Sequence, residues 1–333
     1  MVIKTVKIML FALVLIMNSA AFAWEIFPSL GEERSGTSVM TFLKIGVGAR
    51  SASLAGAYTA TATDAFALYH NPAGIAFNDK DNFGFAYRQW VVDFKHSFFG
   101  VTRHIDDANV LGAFLITLGT DSFEITDEYH PLGTGNMFDY SDFAAGLTYA
   151  IRLTDYFAFG INFKYAQENL GDLKMRAGLI DLGTLYQTDF YGTRFAINMA
   201  NFGGRIKPSG SYQYKTVSGE WIEKNYQSFS SPTVFKISAA FDPVSSGNNK
   251  VTWVTQLNHP TDNAENIAIG MEYSYQEMFF LRGGYLINSL VENFSVGAGV
   301  KFAISRFDGA FDFAYTDMKE LGGTNVFSVV LGF

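Results

Sequence analysis

The sequence predicts an all-β fold: a transmembrane outer-membrane β-barrel of about 14 antiparallel strands, a size that bacterial barrels commonly have. Three observations lead to it: the composition, a secretory signal with no later spanning helix, and alternating strands. Of the 333 residues, 48% are hydrophobic, 33 are Phe and 32 are Gly, whereas only 17% are charged. Typical soluble domains carry about 25% charged residues. The chain therefore has few charges with which to cover a soluble surface.

The first 23 residues have the layout of a secretory signal peptide. Lys4 and Lys7 precede an apolar run at 8–17, and residues 21–23 read Ala-Phe-Ala, a small-residue cleavage site. We predict cleavage after Ala23. The apolar run is shorter than the ~20 residues of a spanning helix, and no later run reaches about 18 residues. A membrane position then requires a closed barrel, because only helices and closed sheets satisfy every backbone polar group in hydrocarbon.

Strict alternation marks the predicted strands. In residues 157–166, the large residues Phe, Phe, Ile, Phe and Tyr alternate with Ala, Gly, Asn, Lys and Ala. A soluble sandwich also alternates, but its outward face would be rich in Lys, Glu and Thr, whereas the second face here is mostly small. That face suits a crowded lumen. The predicted strands are 82–93, 96–105, 109–127, 139–152, 156–168, 174–187, 191–202, 232–242, 249–258, 265–275, 278–287, 292–304, 307–317 and 325–333.

The predicted connections differ between the two ends of the barrel. One end has mostly tight turns, such as 276–277, with a longer connection at 243–248. The other has the long segments 128–138 and 203–231, although a tight turn at 94–95 breaks the trend. Outer-membrane barrels have short periplasmic turns and longer external loops. We therefore expect 203–231, which contains Tyr and Trp, to be an external recognition loop or a lid over the mouth.

The last strand carries a further signal. Its apolar residues alternate up to the chain end, which resembles the C-terminal strand that the barrel-insertion machinery of bacteria reads. The residues of this predicted insertion signal are Phe327, Val329, Leu331 and Phe333.

The segment before the first strand does not alternate and is dense in Gly, Ala and Ser. Small residues allow close packing, so we expect it to lie inside the barrel as a plug. A helix around 60–69 would end before the Asn-Pro-Ala-Gly turn at 71–74. The predicted division is a signal peptide at 1–23, a plug at 24–81 and a barrel at 82–333.

This segment carries a family resemblance. Residues 42–77 resemble the N-terminal signature of the PorV/PorQ family of outer-membrane proteins, which is related to the FadL-type channels for hydrophobic compounds. Tyr69 and His70 stand where the family more often has a Trp before the Asn. Further matches run through 149–165, 181–188 and 201–203. The matching plug positions are Gly46, Gly48, Arg50, Gly56, Ala57, Asp64, Asn71, Pro72, Ala73 and Gly74.

The resemblance implies a 14-stranded barrel with an N-terminal plug. Some family members serve the type IX secretion system by shuttling or holding cargo at the cell surface, whereas FadL-type relatives pass hydrophobic molecules through a gated lumen. Three hypotheses follow: a secretion protein that binds cargo or partner subunits at its external loops, a gated channel for hydrophobic solutes, or a soluble secreted β-sandwich. Expected partners are outer-membrane lipid, lipopolysaccharide and the insertion machinery, with secreted cargo, secretion-system subunits or a hydrophobic small molecule according to the hypothesis.

Inward positions of the predicted strands carry charges of both signs, and buried charges need partners. We expect these side chains to pair with one another and with the plug, as structural contacts or as a selectivity network. They are Lys164, Glu272, Arg282, Lys301 and Asp312.

Other classes of function are disfavoured. The net charge of −8 and the lack of a basic run argue against nucleic-acid binding. The chain has no Cys, which excludes disulfides and Cys-based metal sites. Its five His residues form no HExxH motif, and no GxSxG motif occurs. We therefore predict no enzyme activity, no metal and no cofactor.

Overall fold

The computed structural model describes residues 36–171, 173–304 and 307–333. The predicted signal peptide and its cleavage site after Ala23 lie outside these residues. Within them, 14 strands close into one antiparallel barrel, which confirms the predicted fold. The first barrel strand pairs with the last over its full length, so the sheet has no free edge. The third hypothesis expected a sandwich of two sheets, and the single closed sheet contradicts that architecture.

The barrel is a meander in which each strand pairs with its neighbours along the chain, apart from two short hairpins in loops. The barrel strands are β1 (Asn82–Gln89), β2 (Lys95–His104), β3 (Asn109–Gly119), β6 (Tyr140–Arg152), β7 (Phe157–Leu170), β8 (Leu173–Gln187), β9 (Arg194–Gly203), β12 (Val234–Ser246), β13 (Asn249–Pro260), β14 (Asn266–Tyr275), β15 (Phe279–Ile287), β16 (Phe294–Ile304), β17 (Phe307–Asp317) and β18 (Gly323–Gly332). The loop hairpins are β4 (Phe123–Glu124) with β5 (Met137–Phe138), and β10 (Ser211–Lys215) with β11 (Trp221–Asn225).

The helices in the described residues are short. They are α1 (Ala49–Ser53), α2 (Ala67–His70) and the 3₁₀ helices Thr41–Lys44, Pro72–Phe77, Val91–Asp93 and Lys319–Leu321. Among the described residues, no helix is long and apolar enough to cross a membrane.

The side chains of the barrel alternate as predicted. In β7, Asn162 and Lys164 are buried on the inner face, whereas Phe163 and Tyr165 are exposed on the outer face. The outer face thus presents large apolar and aromatic residues, as a lipid-facing surface requires.

The connection expected at residues 243–248 is mostly strand, so that prediction was wrong. Strand β12 continues to Ser246, and its pairing register with β13 shifts between Phe241 and Val244. Such a bulge accommodates Pro243, which has no backbone N–H to donate to the sheet.

The N-terminal segment (residues 36–81) packs against the inner face of the barrel wall. Helix α1 contacts β15 to β18, whereas the 3₁₀ helix Pro72–Phe77 contacts β3 and β6 to β8 on another part of the closed wall. The side chains of Leu43, Tyr58 and Phe66 are fully or almost fully buried there. The hydrophobic core is therefore formed jointly by this segment and the inner wall.

The helix predicted at 60–69 is shorter, since α2 begins only at Ala67. Three β-branched residues, Thr59, Thr61 and Thr63, disfavour helix in the preceding stretch. The Asp64 side chain accepts a hydrogen bond from the backbone N–H of Phe66, which forms a turn instead. The helix does end before Asn71, as expected.

Candidate functional site: the lumen and its external mouth

The Asn-Pro motif ties the N-terminal segment to the barrel wall. The Asn71 amide nitrogen donates to the carbonyl oxygens of Thr59 and of Thr184 in β8, both at 3.1 Å. Its amide oxygen accepts from the Ala73 N–H at 3.2 Å. Pro72 opens the 3₁₀ helix, where its missing N–H costs nothing. Both ends of the Asn71 amide are thus used to position this buried turn.

Two wall glycines allow the motif to approach. A Cβ atom on Gly160 would lie 2.3 Å from the carbonyl carbon of Pro72. A Cβ atom on Gly183 would lie 2.2 Å from the Asn71 amide oxygen. No side chain fits at such separations, so β7 and β8 carry glycine where the segment rests on them.

A second anchor is a network of alternating charges. The Arg50 guanidinium donates to both carboxylate oxygens of Glu272 at 2.9 Å. Arg282 donates to Glu272 and to Asp312, both at 2.5 Å. The three barrel residues are buried. Two positive and two negative charges therefore balance in a low-dielectric space, in bidentate and charge-assisted geometry.

Lys164 belongs to a separate cluster. Its ammonium group lies 2.7 Å from Asp181, which also accepts from the Asn162 amide at 2.9 Å and from the Asn201 N–H at 2.6 Å. The pairing register between β8 and β9 shifts beside Asp181. The sequence analysis missed Asp181, although it stands in phase with inward residues of β8, such as Leu179 and Leu185.

The fifth predicted lumen charge, Lys301, joins neither cluster. It lies near the end of β16, at the end of the barrel that has the tight turns, and its side chain is exposed. Its ammonium group lies 5.4 Å from the centre of the Phe280 ring. Within the described ranges it forms no salt bridge. The predicted set of five is thus split between one network, one pair and one exposed cation.

The remaining plug-motif residues have packing or turn positions. Asp64 accepts from the Tyr58 hydroxyl at 3.1 Å. Ala73 is fully buried, and a Cβ on Gly74 would lie 1.9 Å from the carbonyl oxygen of Ala62. Gly46 lines the cavity described next, and Gly48 precedes α1 with a φ of 81°.

A cavity of about 440 Å³ lies above the segment, at the end of the barrel that carries the longer connections. The loops at 261–265 and 288–293 contribute to its wall, and Tyr69 and His70 of α2 line it from within the barrel. Longer connections face outward in outer-membrane barrels. The cavity therefore belongs to the external mouth.

Cationic side chains dominate the electrostatics of this cavity. Arg88 is only 4% exposed, and the ammonium group of Lys236 lies 5.5 Å from the Tyr69 ring centre. Burial, with the nearby charges of Lys236 and Arg88, lowers the pKa of His70 to about 3. Burial raises the pKa of Glu292 in the 288–293 loop, while the charge of Arg88 opposes that rise.

The β10–β11 hairpin projects from the same end, in the loop between β9 and β12. Every residue of both strands is exposed. Trp221 is 67% exposed, and the rings of Tyr212 and Tyr226 lie 5.3 Å apart. Backbone hydrogen bonds between Ile206 and Phe229 close the base of the loop. The predicted external loop is therefore an ordered hairpin with an aromatic surface.

The family described as Type IX secretion system protein PorV matches residues 29–262 of this sequence. The chain belongs to the PorV family. The matched range includes the Asn-Pro motif, the Lys164–Asp181 pair and the β10–β11 hairpin. No curated protein matches the chain.

Solved structures share the fold of this PorV-family barrel. The CymD monoaromatic hydrocarbon channel has a TM-score of 0.57 and 14% identity, with 86% of this chain and 97% of that chain covered. The Pseudomonas putida toluene transporter TodX has a TM-score of 0.51 and 14% identity, covering 80% and 92%. The Ralstonia pickettii toluene transporter TbuX has a TM-score of 0.50 and 12% identity, covering 84% and 96%. The chain is thus a PorV-family barrel of the bacterial outer membrane that shares its fold with these channels.

The last strand of the PorV-family barrel places its signal residues on the outer face. Phe327 and Phe333 are exposed, and Val329 and Leu331 share their side of β18. Their role in insertion stays a prediction. Within the described residues, no group of three or more His, Asp and Glu side chains could hold a metal ion.

Proposed function

We propose that this barrel acts in protein secretion or surface attachment of the type IX kind, by holding a cargo protein or a partner subunit at its external loops. The family match supports a secretion role. The observation that carries the proposal is the β10–β11 hairpin, which exposes Trp221, Tyr214 and Ile222 beyond the barrel mouth. Aromatic side chains of this kind dominate protein–protein contacts.

A second external loop adds to the same surface. The β4–β5 hairpin, between β3 and β6, exposes Phe123 and Met137. At its tip Tyr129 is 85% and Leu132 is 96% exposed. Apolar residues on the outer wall are accounted for by lipid, but these lie on loops beyond the strands. A protein partner would cover them and would gain the free energy of burying apolar area.

The direct test replaces residues 208–227 with a short Gly-Ser linker. The backbone bonds between Ile206 and Phe229 lie outside the deleted part and hold the loop ends together. We expect a folded barrel, recognised by a gel shift on boiling, that no longer co-purifies with secreted cargo or secretion subunits. Unchanged co-purification from a shifted, folded variant would contradict the proposal.

A gated channel for hydrophobic molecules is the alternative function. Its support is the fold shared with hydrocarbon channels, at identities too low to carry function. The contacts described above weigh against it, because the buried segment and two charged clusters occupy the lumen where an apolar path would run. The alternative requires hydrocarbon uptake that changes with Asn71→Ala or Pro72→Ala. We propose no enzymatic role and no cofactor for this protein.

We also propose that residues 24–81 form a plug and that residues 82–333 form the barrel.

A further inference from the structure

The cavity at the external mouth carries a surplus of positive charge. Besides the neutral Tyr69 and His70, its lining carries the charged residues Lys44, Arg88, Lys164, Lys236 and Glu292. Two of the cations already have partners behind the wall, since Lys44 and Lys164 lie 2.7 Å from the carboxylates of Asp262 and Asp181. Of the remaining two cations, Arg88 lies near the carboxylate of Glu292 without a salt bridge to it. The carboxylate near Lys236 is that of Asp181, which already pairs with Lys164. One positive charge is left uncompensated.

Arg88 is the more deeply buried of the two cations. Its side chain is 4% exposed, yet its Nε has no hydrogen-bond partner and no carboxylate forms a salt bridge with it anywhere in the described residues. Its guanidinium carbon lies 5.3 Å from the centre of the Trp90 ring. A buried charge without a hydrogen-bonded counter-charge is strongly unfavourable. Arg88 therefore lacks a hydrogen-bonded anion within the described residues.

Lys236 faces the same space from another strand. Its ammonium group lies over the Tyr69 ring and, in the described part of the chain, forms no salt bridge. Both Lys236 and Arg88 act electrostatically on His70 beneath the cavity. The two free cations thus converge on one region, from β12 and from β1.

The neutral part of the lining is rich in carboxamides. They are Asn201, Gln256, Asn258, Asn263, Asn266 and Asn288. Carboxamides offer both donors and acceptors to hydroxyl and amide groups of a ligand. They can contact the polar part of a ligand, beside apolar lining residues such as Leu43, Leu286 and Leu290.

We propose that this cavity binds a carboxylate carried by a polar molecule, held by Arg88 and Lys236. A single negative charge matches the surplus of one positive charge, and the planar guanidinium of Arg88 suits the two oxygens of a carboxylate. The carboxylate could belong to a small hydroxylated acid or to the end of a peptide, and both present the same group to the two cations. This site is separate from the β10–β11 hairpin and does not depend on the proposed loop function.

The first test compares matched ligands on the full-length protein, folded in detergent at low salt. Calorimetry would measure the binding of glucuronate against glucose, and of a tripeptide with a free C-terminus against its amide. We expect at least one carboxylate to bind at least about tenfold more tightly than its neutral partner, as one charge-assisted contact allows. The pair that responds identifies the source of the carboxylate. Equal binding within both pairs, or no binding by either acid, overturns the proposal.

The second test locates the site with variants. Arg88→Met and Lys236→Met should each weaken carboxylate binding about tenfold or more, for the same reason. Lys301→Met, which removes a lumen cation at the opposite end, should leave it unchanged. An equal loss in Lys301→Met would mean a general charge effect and would overturn the assignment. A gel shift on boiling checks folding, and Lys236→Met decides the question if Arg88→Met does not fold.

Discussion

A single carboxylate, Glu272, holds two arginines that arrive from different parts of the fold. Arg50 comes from the N-terminal segment and Arg282 from the neighbouring strand β15. The carboxylate therefore does two tasks: it compensates a barrel charge, and it fixes the segment to the wall. Because all three groups are largely removed from water, the loss of one leaves the others without compensation.

We expect Glu272→Gln to destabilise the folded barrel by roughly 3–5 kcal/mol, the cost of breaking a buried ion pair by removing one partner. Denaturant titration in detergent, followed by the gel shift on boiling, would measure the change. The matched control is Asp308→Asn, since the Lys80–Asp308 pair is largely exposed and such pairs contribute about 0–1 kcal/mol. Equal losses in the two variants would contradict the central position given to Glu272.

At the scale of elements, the N-terminal segment rests on two glycine-bearing strands. Gly160 in β7 and Gly183 in β8 leave room for Pro72 and Asn71. These glycines are as much a part of the anchor as the motif itself, because any Cβ there would occupy the motif's position.

We predict that Gly160→Val displaces the 3₁₀ helix from the wall. The chain has no Cys, so a single Ala73→Cys substitution gives a clean probe at a fully buried position. Its thiol should react slowly with a maleimide in the otherwise unchanged protein and much faster when Gly160→Val is added. Gly178→Ala is the matched control, because nothing lies within 4 Å of a Cβ built there. Slow labelling in both the Gly160→Val and the Gly178→Ala variants would contradict the close contact between the 3₁₀ helix and β7.

The sequence allowed the prediction of all 14 strands, because period-2 alternation records directly which face each residue takes. It did not allow the prediction of the bulge in β12, which depends on how two strands pair. Helix α1 was also missed, since its five residues are too few to display a helical period. At the site, Glu272, Arg282 and Asp312 were predicted together, whereas Arg88 and Lys236 were not. Arg88 and Lys236 stand out because they have no salt-bridge partner in the described residues, and only the folded structure reveals which charged groups lie near each other.

For the whole molecule, the two ends of the barrel differ in kind. One end consists of tight turns, such as Gly247–Asn248, and the other carries two ordered hairpins and a charged cavity. Outer-membrane barrels place the longer connections outside the cell. The hairpins and the cavity should therefore meet the same external solution.

Orientation can be tested with single cysteines on intact cells. Val217→Cys, at the fully exposed tip of the β10–β11 hairpin, should react with a maleimide that does not cross membranes. Asp155→Cys, in the exposed turn between β6 and β7, should react only after the cells are opened. The reverse pattern would place the hairpin in the periplasm and would remove the basis of the proposed surface function.

Point variants at the two ends of the barrel should also differ in their effect on partner binding. Trp221→Ala combined with Tyr214→Ala should reduce co-purification with cargo or subunits at least about tenfold, as for the loss of interface hot spots. Phe190→Ala combined with Tyr191→Ala removes two exposed aromatics from the opposite end and should have no effect. A similar reduction in both double variants would mean that aromatic exposure in general, and not the hairpin, governs capture.

The seam between β1 and β18 has a consequence for how the molecule is made. The N–H of Ala49, near the start of the described chain, donates to the hydroxyl of Ser328 in the last strand at 3.0 Å. The segment that leaves the ribosome early is therefore enclosed by a wall that cannot close until the final residues are made. Assembly must therefore close the sheet around the N-terminal segment, and the contact between Ala49 and Ser328 can form only when the last strand is in place.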